Sequence, residues 1–485
     1  MDTEELGQAA IAIGNQLCDE AIVADDQAVW SGAQLEMVDG DWQAVEATVG
    51  PDVYGGTAGI ALFLARLGTT VGSQRHLDHA RKGIQHSLTA MSANPALGSS
   101  LFAGSTGVAA AAVEIAALTN DDDLASTAHA LTIAEPDAAD LIAGSAGMVI
   151  AALAMHRASP DQAWLDRARS WGQDLLDRSE TNDMATQRWW PSDIGVDEPP
   201  LLGLGHGASG CAWPLAELAV ATGDHAWFGA VEEAVAYERT FLDHERGNWP
   251  DLRELGAEAI GQGKEPAWPA FWCHGAPGIG LTRLRFFEIS GEPRYRDEAT
   301  VAVVSSMRFA AEMSREPQLH DASLCHGVAG VIELLREAGR VLHDPSHQEA
   351  AHEVARVAID MADGGRWPSG VRDGGENPSL MLGMAGIGGA LLNLAIDEPR
   401  SLGLLWAGTE RSARINVKAH DPALVPKIGR RLADEVVGLR LERASKSGRM
   451  LMVVPASVSV SNTLAHLGED PELAWAELDS GDLAR

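Results

Sequence analysis

Two short stretches of this sequence repeat a tripeptide made of strong metal ligands: Phe271-Trp272-Cys273-His274-Gly275 and Leu324-Cys325-His326-Gly327. Thiolate and imidazole are the donors that a borderline-soft ion such as Zn²⁺ prefers, and two thiolates with one imidazole leave a fourth tetrahedral position open, as in catalytic sites. Cys273, Cys325 and His326 are therefore the expected Zn²⁺ ligands. Their spacing is unlike that of zinc fingers or ribbons. A core cysteine beside a helix-capping histidine would explain one such pair; its recurrence favours ligation.

Two more residues carry chemistry. In Gly205-His206-Gly207, His206 offers an imidazole that titrates near neutral pH, suited to a general acid or base, although a histidine hydrogen-bonded within a turn is the other reading. Asp140, in Asp140-Leu141-Ile142-Ala143-Gly144, can orient His206 or relay protons, or simply cap a helix; Glu135 and Asp137 lie close by. The glycines around His206 are no nucleotide fingerprint, because no strand precedes them and no βαβ unit surrounds them.

What positions these residues is a repeat. A Gly-x-x-Gly turn followed by an Ala-, Leu-, Ile- and Val-rich helix recurs seven times, at Gly56–Gly59, Gly104–Gly107, Gly144–Gly147, Gly207–Gly210, Gly275–Gly278, Gly327–Gly330 and Gly383–Gly386. Segments such as Ala58–Leu67, Gly147–Met155 and Ala385–Ile396 are apolar nearly all round, as buried inner helices are, and Gly68, Gly223, Gly291 and Gly339 are the expected stops. Between them, His76–Met91, Gln162–Arg178, Ala226–His244, Tyr295–Met313 and Ser346–Met361 are amphipathic outer helices, the last opening on a capping box at Ser346. Seven alternations predict a closed double ring that gathers seven turns, and the positive ends of seven inner helices, around one mouth. Asp121-Asp122-Asp123 falls between repeats and reads as a solvated loop.

Composition agrees with an all-α fold: 46% hydrophobic, 5% aromatic. The net charge of −33 argues against nucleic acid and anionic lipid as partners. The acidic start is unlike a signal peptide and no apolar run predicts a transmembrane segment, so a cytoplasmic protein is expected. Four cysteines, Cys18, Cys211, Cys273 and Cys325, form no disulfide framework at this length. From about Arg400 the repeat ends, basic residues gather between Arg411 and Arg449, and an apolar stretch, Met450–Val460, follows. The expected organisation is a repeat domain over residues 1–399 and an extension over 400–485.

The motifs Trp272-Cys273-His274-Gly275-Ala276-Pro277-Gly278-Ile279-Gly280, Cys325-His326-Gly327-Val328-Ala329-Gly330, Gly205–Gly210 and Asp140–Gly147 resemble those of the LanC-like family over about Val53 to Ile396. The resemblance implies an α/α toroid of seven inner and seven outer helices, Zn²⁺ held by Cys273, Cys325 and His326, acid/base chemistry at His206 with Asp140 beside it, and closure of thioether rings in a dehydrated precursor peptide. A thiol of the peptide would add to dehydroalanine or dehydrobutyrine, and dehydration would come from a separate dehydratase chain. Two departures stand out. Stand-alone members tend to carry Tyr after the first ligand cysteine and Arg shortly before it; here stand His274 and, before the cysteine, Pro269 and Ala270. His274 looks like the cyclase domains of multidomain synthetases, and another cation or the metal must then stabilise the enolate.

Three other readings remain: glutathione addition to dehydrated peptides, a zinc-bearing peptide-binding scaffold without turnover, and a toroidal glycosidase or terpene-type cyclase. The last would need paired carboxylates or an Asp-rich diphosphate motif.

Overall fold

The computed structural model describes residues 3–38, 41–158, 161–192, 199–253, 255, 262–316, 321–362, 364–396, 413–435, 439–445, 447–454, 467–468 and 470–478. Seven inner helices follow the seven glycine turns: α2 (Thr57–Val71), α4 (Ser105–Thr119), α6 (Ser145–Ala158), α8 (Ala208–Thr222), α10 (Ala276–Ser290), α12 (Val328–Leu342) and α14 (Met384–Ile396). Each packs on the next, and α14 returns to α2, so the inner ring is closed. The outer layer pairs α3 (Gln74–Ala93), α5 (Asp122–His129), α7 (Gln162–Asp177), α9 (Ala226–Arg239), α11 (Pro293–Arg315) and α13 (Pro345–Asp360) with α2, α4, α6, α8, α10 and α12 in turn. The all-α toroid expected from the repeat is the fold.

The seventh outer helix comes from the beginning of the chain. α1 (Thr3–Glu20) buries Leu6, Ala10, Ile13 and Leu17 against α14 and also touches α2 and α3, sealing the last repeat to the first. Three fully buried aliphatic side chains on this face are worth roughly 1.5–3 kcal/mol each.

The second glycine of each repeat has a steric reason. It packs on the carbonyl six residues earlier: at Gly278 a Cβ would lie 1.9 Å from the Trp272 oxygen and at Gly386 1.9 Å from the Leu380 oxygen. No side chain fits there, which fixes how each turn enters its helix.

Several local expectations are corrected. Gly223 and Gly291 do end α8 and α10 in left-handed geometry, but α2 runs through Gly68 and is capped by left-handed Gly72, and α12 runs through Gly339 to His343, burying Val341 in its last turn. The cap of α13 is Asp344, whose carboxylate accepts from the Ser346 N–H, with Pro345 as the first helical residue. Asp121 is no loop residue in solvent: it caps α5, accepting from the Leu124 N–H, and pairs with Arg81.

Strands are few. β1 (Ile22–Ala24) pairs with β2 (Gln27–Val29), β3 (Ser31–Val38) with β4 (Asp41–Thr48), and β5 (Glu180–Thr181) with β6 (Arg188–Trp189), all antiparallel. Beyond the repeats, β7 (Ala413–Ala419), β8 (Arg440–Ala444), β9 (Arg449–Val454) and β10 (Leu473–Leu478) form an antiparallel sheet in the order β10-β7-β9-β8. With α15 (Val425–Glu435) it encloses its own core of Ile415, Val417, Ile428, Leu432, Met450 and Met452. Residues 455–460 of the apolar stretch lie outside the described residues.

One level of the inner ring is polar. Ten residues past the first glycine of each turn stand Arg66, Glu114, Ala154, Glu217, Arg285, Glu337 and Asn393. Arg66 pairs with Glu114 at 2.7 Å, Arg285 with Glu217 at 2.6 Å and with Glu288 at 2.7 Å, and Arg340 bridges Glu288 and Glu337 at 2.7 and 2.8 Å. Charges this deep persist only when paired.

Candidate metal centre

The repeat sets a register for chemistry. Five residues before the second glycine of each turn stand Tyr54, Phe102, Ile142, Gly205, Cys273, Cys325 and Met381; one place later stand Gly55, Ala103, Ala143, His206, His274, His326 and Leu382. Three consecutive repeats thus put a histidine in the same slot, and two of them a cysteine beside it. Backbone bonds lace these slots around the mouth: Gly205 N–H donates to the Cys273 carbonyl at 2.9 Å, Cys325 to Met381 at 2.9 Å, Met381 to Tyr54 at 3.0 Å and Tyr54 to Phe102 at 2.9 Å.

That lacing brings together side chains far apart in sequence. The ligand atoms of Cys273, Cys325 and His326 all lie within 4.8 Å of one another. Both thiols are free, and Cys273 and Cys325 are 6% and 1% exposed. The Tyr54 hydroxyl donates to Cys325 Sγ at 3.1 Å. Phe271 sets its ring edge-on to His326, with centroids 5.5 Å apart. A hydrogen bond from Cys325 holds the Cys273 thiol well below its usual range despite burial, helped by His326 and His274. Burial opposes a charged His326, yet the hydrogen bond and charge of Cys273 outweigh it and raise the imidazole. Two thiols and an imidazole, buried and converging with one thiol already inclined to ionise, are a donor set that fits Zn²⁺.

His206 and Asp140 meet beside this cluster. His206 Nδ1 lies 2.8 Å from Asp140 Oδ2, and Asp140 Oδ1 accepts from the Ala143 N–H at 2.6 Å. Asp140 thus caps its turn and orients the histidine with its other oxygen. His206 remains 26% exposed, at a small cleft walled by Trp190, Pro191 and Leu201. Its ring stacks on His274, centroids 6.1 Å apart. His274 is 1% exposed, its Nε2 has no hydrogen-bond partner among the described residues, and burial lowers its pKa.

Two residues escape a reading by motif. Tyr54 occupies the register of the candidate ligand cysteines, the one signal that marks it. Arg253 lies on the loop before α10, its guanidinium forked onto Asp251 at 2.6 and 3.1 Å. Its charge is felt by Cys273, Cys325, His274 and His326, so the site has a cation although Pro269 and Ala270 provide none.

Residues 47–406 match the family model described as lanthionine synthetase C-like protein. The chain belongs to that family. Among solved structures, the chain is similar to nisin cyclase, with a TM-score of 0.55 at 19% identity, covering 73% of this chain and 92% of that one. The fold of this LanC-like protein is therefore that of the cyclase toroid. Weaker similarity links it to a protein from Listeria innocua, with a TM-score of 0.45 at 12% identity over 82% of this chain and 97% of that one. A GH76 alpha-mannanase from Bacteroides thetaiotaomicron follows, with a TM-score of 0.44 at 9% identity over 81% and 96%. Among the described residues, no helix is long and apolar enough to cross a membrane.

Proposed function

We propose that this LanC-like protein is a zinc-dependent lanthipeptide cyclase, acting on a dehydrated precursor peptide supplied by a separate dehydratase chain. The observation that carries the reading is the convergence of Cys273, Cys325 and His326 within 4.8 Å, beside a histidine oriented by a carboxylate.

Cys273, Cys325 and His326 would hold the ion. When bound, Zn²⁺ supplies Lewis acidity that keeps a substrate cysteine as its thiolate near neutral pH. The sulfur forms a bond to Cβ of dehydroalanine or dehydrobutyrine, the C=C electron pair moves onto Cα and its carbonyl, and Cα takes one proton in place of the one the thiol lost. His206 is the donor: with Nδ1–H committed to Asp140, Nε2 is the nitrogen that gives the proton. Asp140 fixes the orientation of the ring. Arg253, whose charge reaches both thiols, is the cation proposed to stabilise the negative charge that develops on the carbonyl. Tyr54 anchors Cys325, and the buried His274 ring stacks on His206 and shields that face of it from water. Chemistry that depends on free thiols suits a reducing compartment, and the cytoplasm is the proposed setting.

Incubation with a dehydrated, cysteine-containing peptide, followed by thiol alkylation and mass spectrometry, tests this. Ring closure conserves mass, so alkylatable thiol should disappear while the unalkylated mass stays constant. Persistence of thiol with metal-loaded protein overturns the reading.

A further inference from the structure

The β3–β4 hairpin carries an apolar face that no described residue covers. Paired residues of an antiparallel ribbon share a face, so Ala33, Leu35, Met37, Trp42 and Ala44 lie together, with Glu46 opposite Ala33 as the one charge on that face. Ala33 is buried at the base, but Leu35, Met37 and Trp42 are 44%, 55% and 67% exposed. Soluble proteins ordinarily blunt such a ribbon with lysine or proline, and neither occurs in β3 or β4.

The outer edge of β3 is also open. Ala33 donates its N–H to the Glu376 carbonyl at 3.0 Å and accepts at its carbonyl from Asn377 Nδ2 at 2.7 Å, so both of its backbone groups point away from β4. With a period of two, the N–H and C=O of Leu35 and Met37 point the same way. Among the described residues the sheet has two strands, and neither Leu35 nor Met37 has a ladder partner on that side. Glu376 and Asn377 take the first place on this edge, and no described residue takes the next two.

Both anchors of the hairpin lead to the metal centre. Val49 donates to the Trp30 carbonyl, and the chain runs on to Tyr54, which touches Cys325; six residues span roughly 20 Å at most. On the other side, Gly370, shortly before Glu376, lies so close to the ligand histidine that a Cβ there would stand 3.1 Å from His326 Nδ1. Glu36, Asp41 and Glu46 give the described ribbon a negative charge, with no lysine or arginine.

We propose that the outer edge of β3 is a docking strand for a segment of the substrate peptide outside its ring-forming residues. The segment binds extended, as a third strand, with apolar residues in alternation against Leu35, Met37 and Trp42 and basic rather than acidic residues between them. This rests on the reading of the protein as an enzyme acting on peptides. Strand addition suits an unfolded peptide: backbone bonds give affinity, and alternate side chains give selectivity.

The test uses full-length protein and two fluorescein-labelled peptides that share a dehydroalanine and a cysteine, one bearing an N-terminal extension of alternating valine and lysine. Fluorescence anisotropy should show the wild type binding the extended peptide about tenfold more tightly. Leu35→Pro and Met37→Pro each remove an outward N–H while sparing the ladder made by Gly32, Gln34 and Glu36, and should erase the difference while the thermal melt and the cyclisation rate of the short peptide stay unchanged. Methylating alternate backbone amides of the extension repeats the test on wild-type protein and should cost the same factor. Equal binding of both peptides by the wild type, or full binding by both proline variants and by the methylated peptide, overturns the proposal. So does a concentration-dependent dimer that the proline variants abolish, since a second copy would then be the occupant. Extension-dependent binding without cyclisation of either peptide would leave the docking strand standing and count against the cyclase reading.

Discussion

His206 and Asp140 belong to neighbouring turns and are hydrogen-bonded to each other; on the proposed mechanism, removing either should affect proton transfer without emptying the ligand set. His206→Ala is expected to keep one metal ion per chain by elemental analysis and to lower the cyclisation rate by about 10²- to 10⁴-fold. Loss of metal in that variant would make His206 a ligand instead. Tyr54→Phe deletes the hydroxyl on Cys325 Sγ and should weaken metal binding about tenfold in competition with a chelator, as loss of an outer hydrogen bond to a ligand does. That Cys273, Cys325, His326 and His206 would gather was legible because Cys and His are rare and recur at equivalent repeat positions; Asp140 stood between two readings, a cap and a partner of His206, and the structure gives it both contacts. Arg253 was not, because it sits off the repeat and an arginine in an acidic chain attracts no notice. Its fork with Asp251 and its influence on both thiols exist only in the fold.

At the scale of elements, the glycine turns matter most. Gly278→Ala would drive a methyl group against the Trp272 carbonyl, the residue before Cys273, where the gap is 1.9 Å. Expected is a loss of about 1–3 kcal/mol in urea unfolding, with weaker metal binding because the cysteine moves with its turn. Deleting residues 1–20 should cost more, since α14 would lose the cover of Leu6, Ile13 and Leu17; calorimetry should show a lower and broader melt. Five outer helices could be read from periodicity. α5 could not, because eight residues hold barely two turns, and α1 could not be assigned because its partner lies at the other end of the repeat array. Sequence patterns report which face is apolar, and closure of a ring is a long-range event.

For the whole molecule, the polar level of the inner ring ties stability to pH. Burial pushes the Glu288 carboxyl up, but the guanidiniums of Arg340 and Arg285 outweigh it and bring it from 4.5 down to about 2. Its folded value lies below its unfolded one, so the stability it contributes is complete above about pH 4.5 and disappears as pH falls towards 2. Urea unfolding across that range should show the decline. Glu288→Gln should flatten it and cost about 3–5 kcal/mol near neutrality, because Arg285 and Arg340 lose a buried partner. The extension was visible in sequence as a change of composition, without its strands: short edges such as Arg440–Ala444 have too little alternation to declare themselves. With a core of its own, residues 400–485 are proposed as a separable unit, and a chain ending at 399 should keep its helical circular dichroism and its metal.

The shared register of the turns has one more consequence. If every slot on the rim is held by the same backbone geometry, a ligand pair is portable: Ile142→Cys with Ala143→His would transplant the Cys273-His274 arrangement one or more steps round the mouth. A designer could then relocate the reaction centre relative to the docked chain, and so choose the size of the ring that is closed, without redrawing the scaffold.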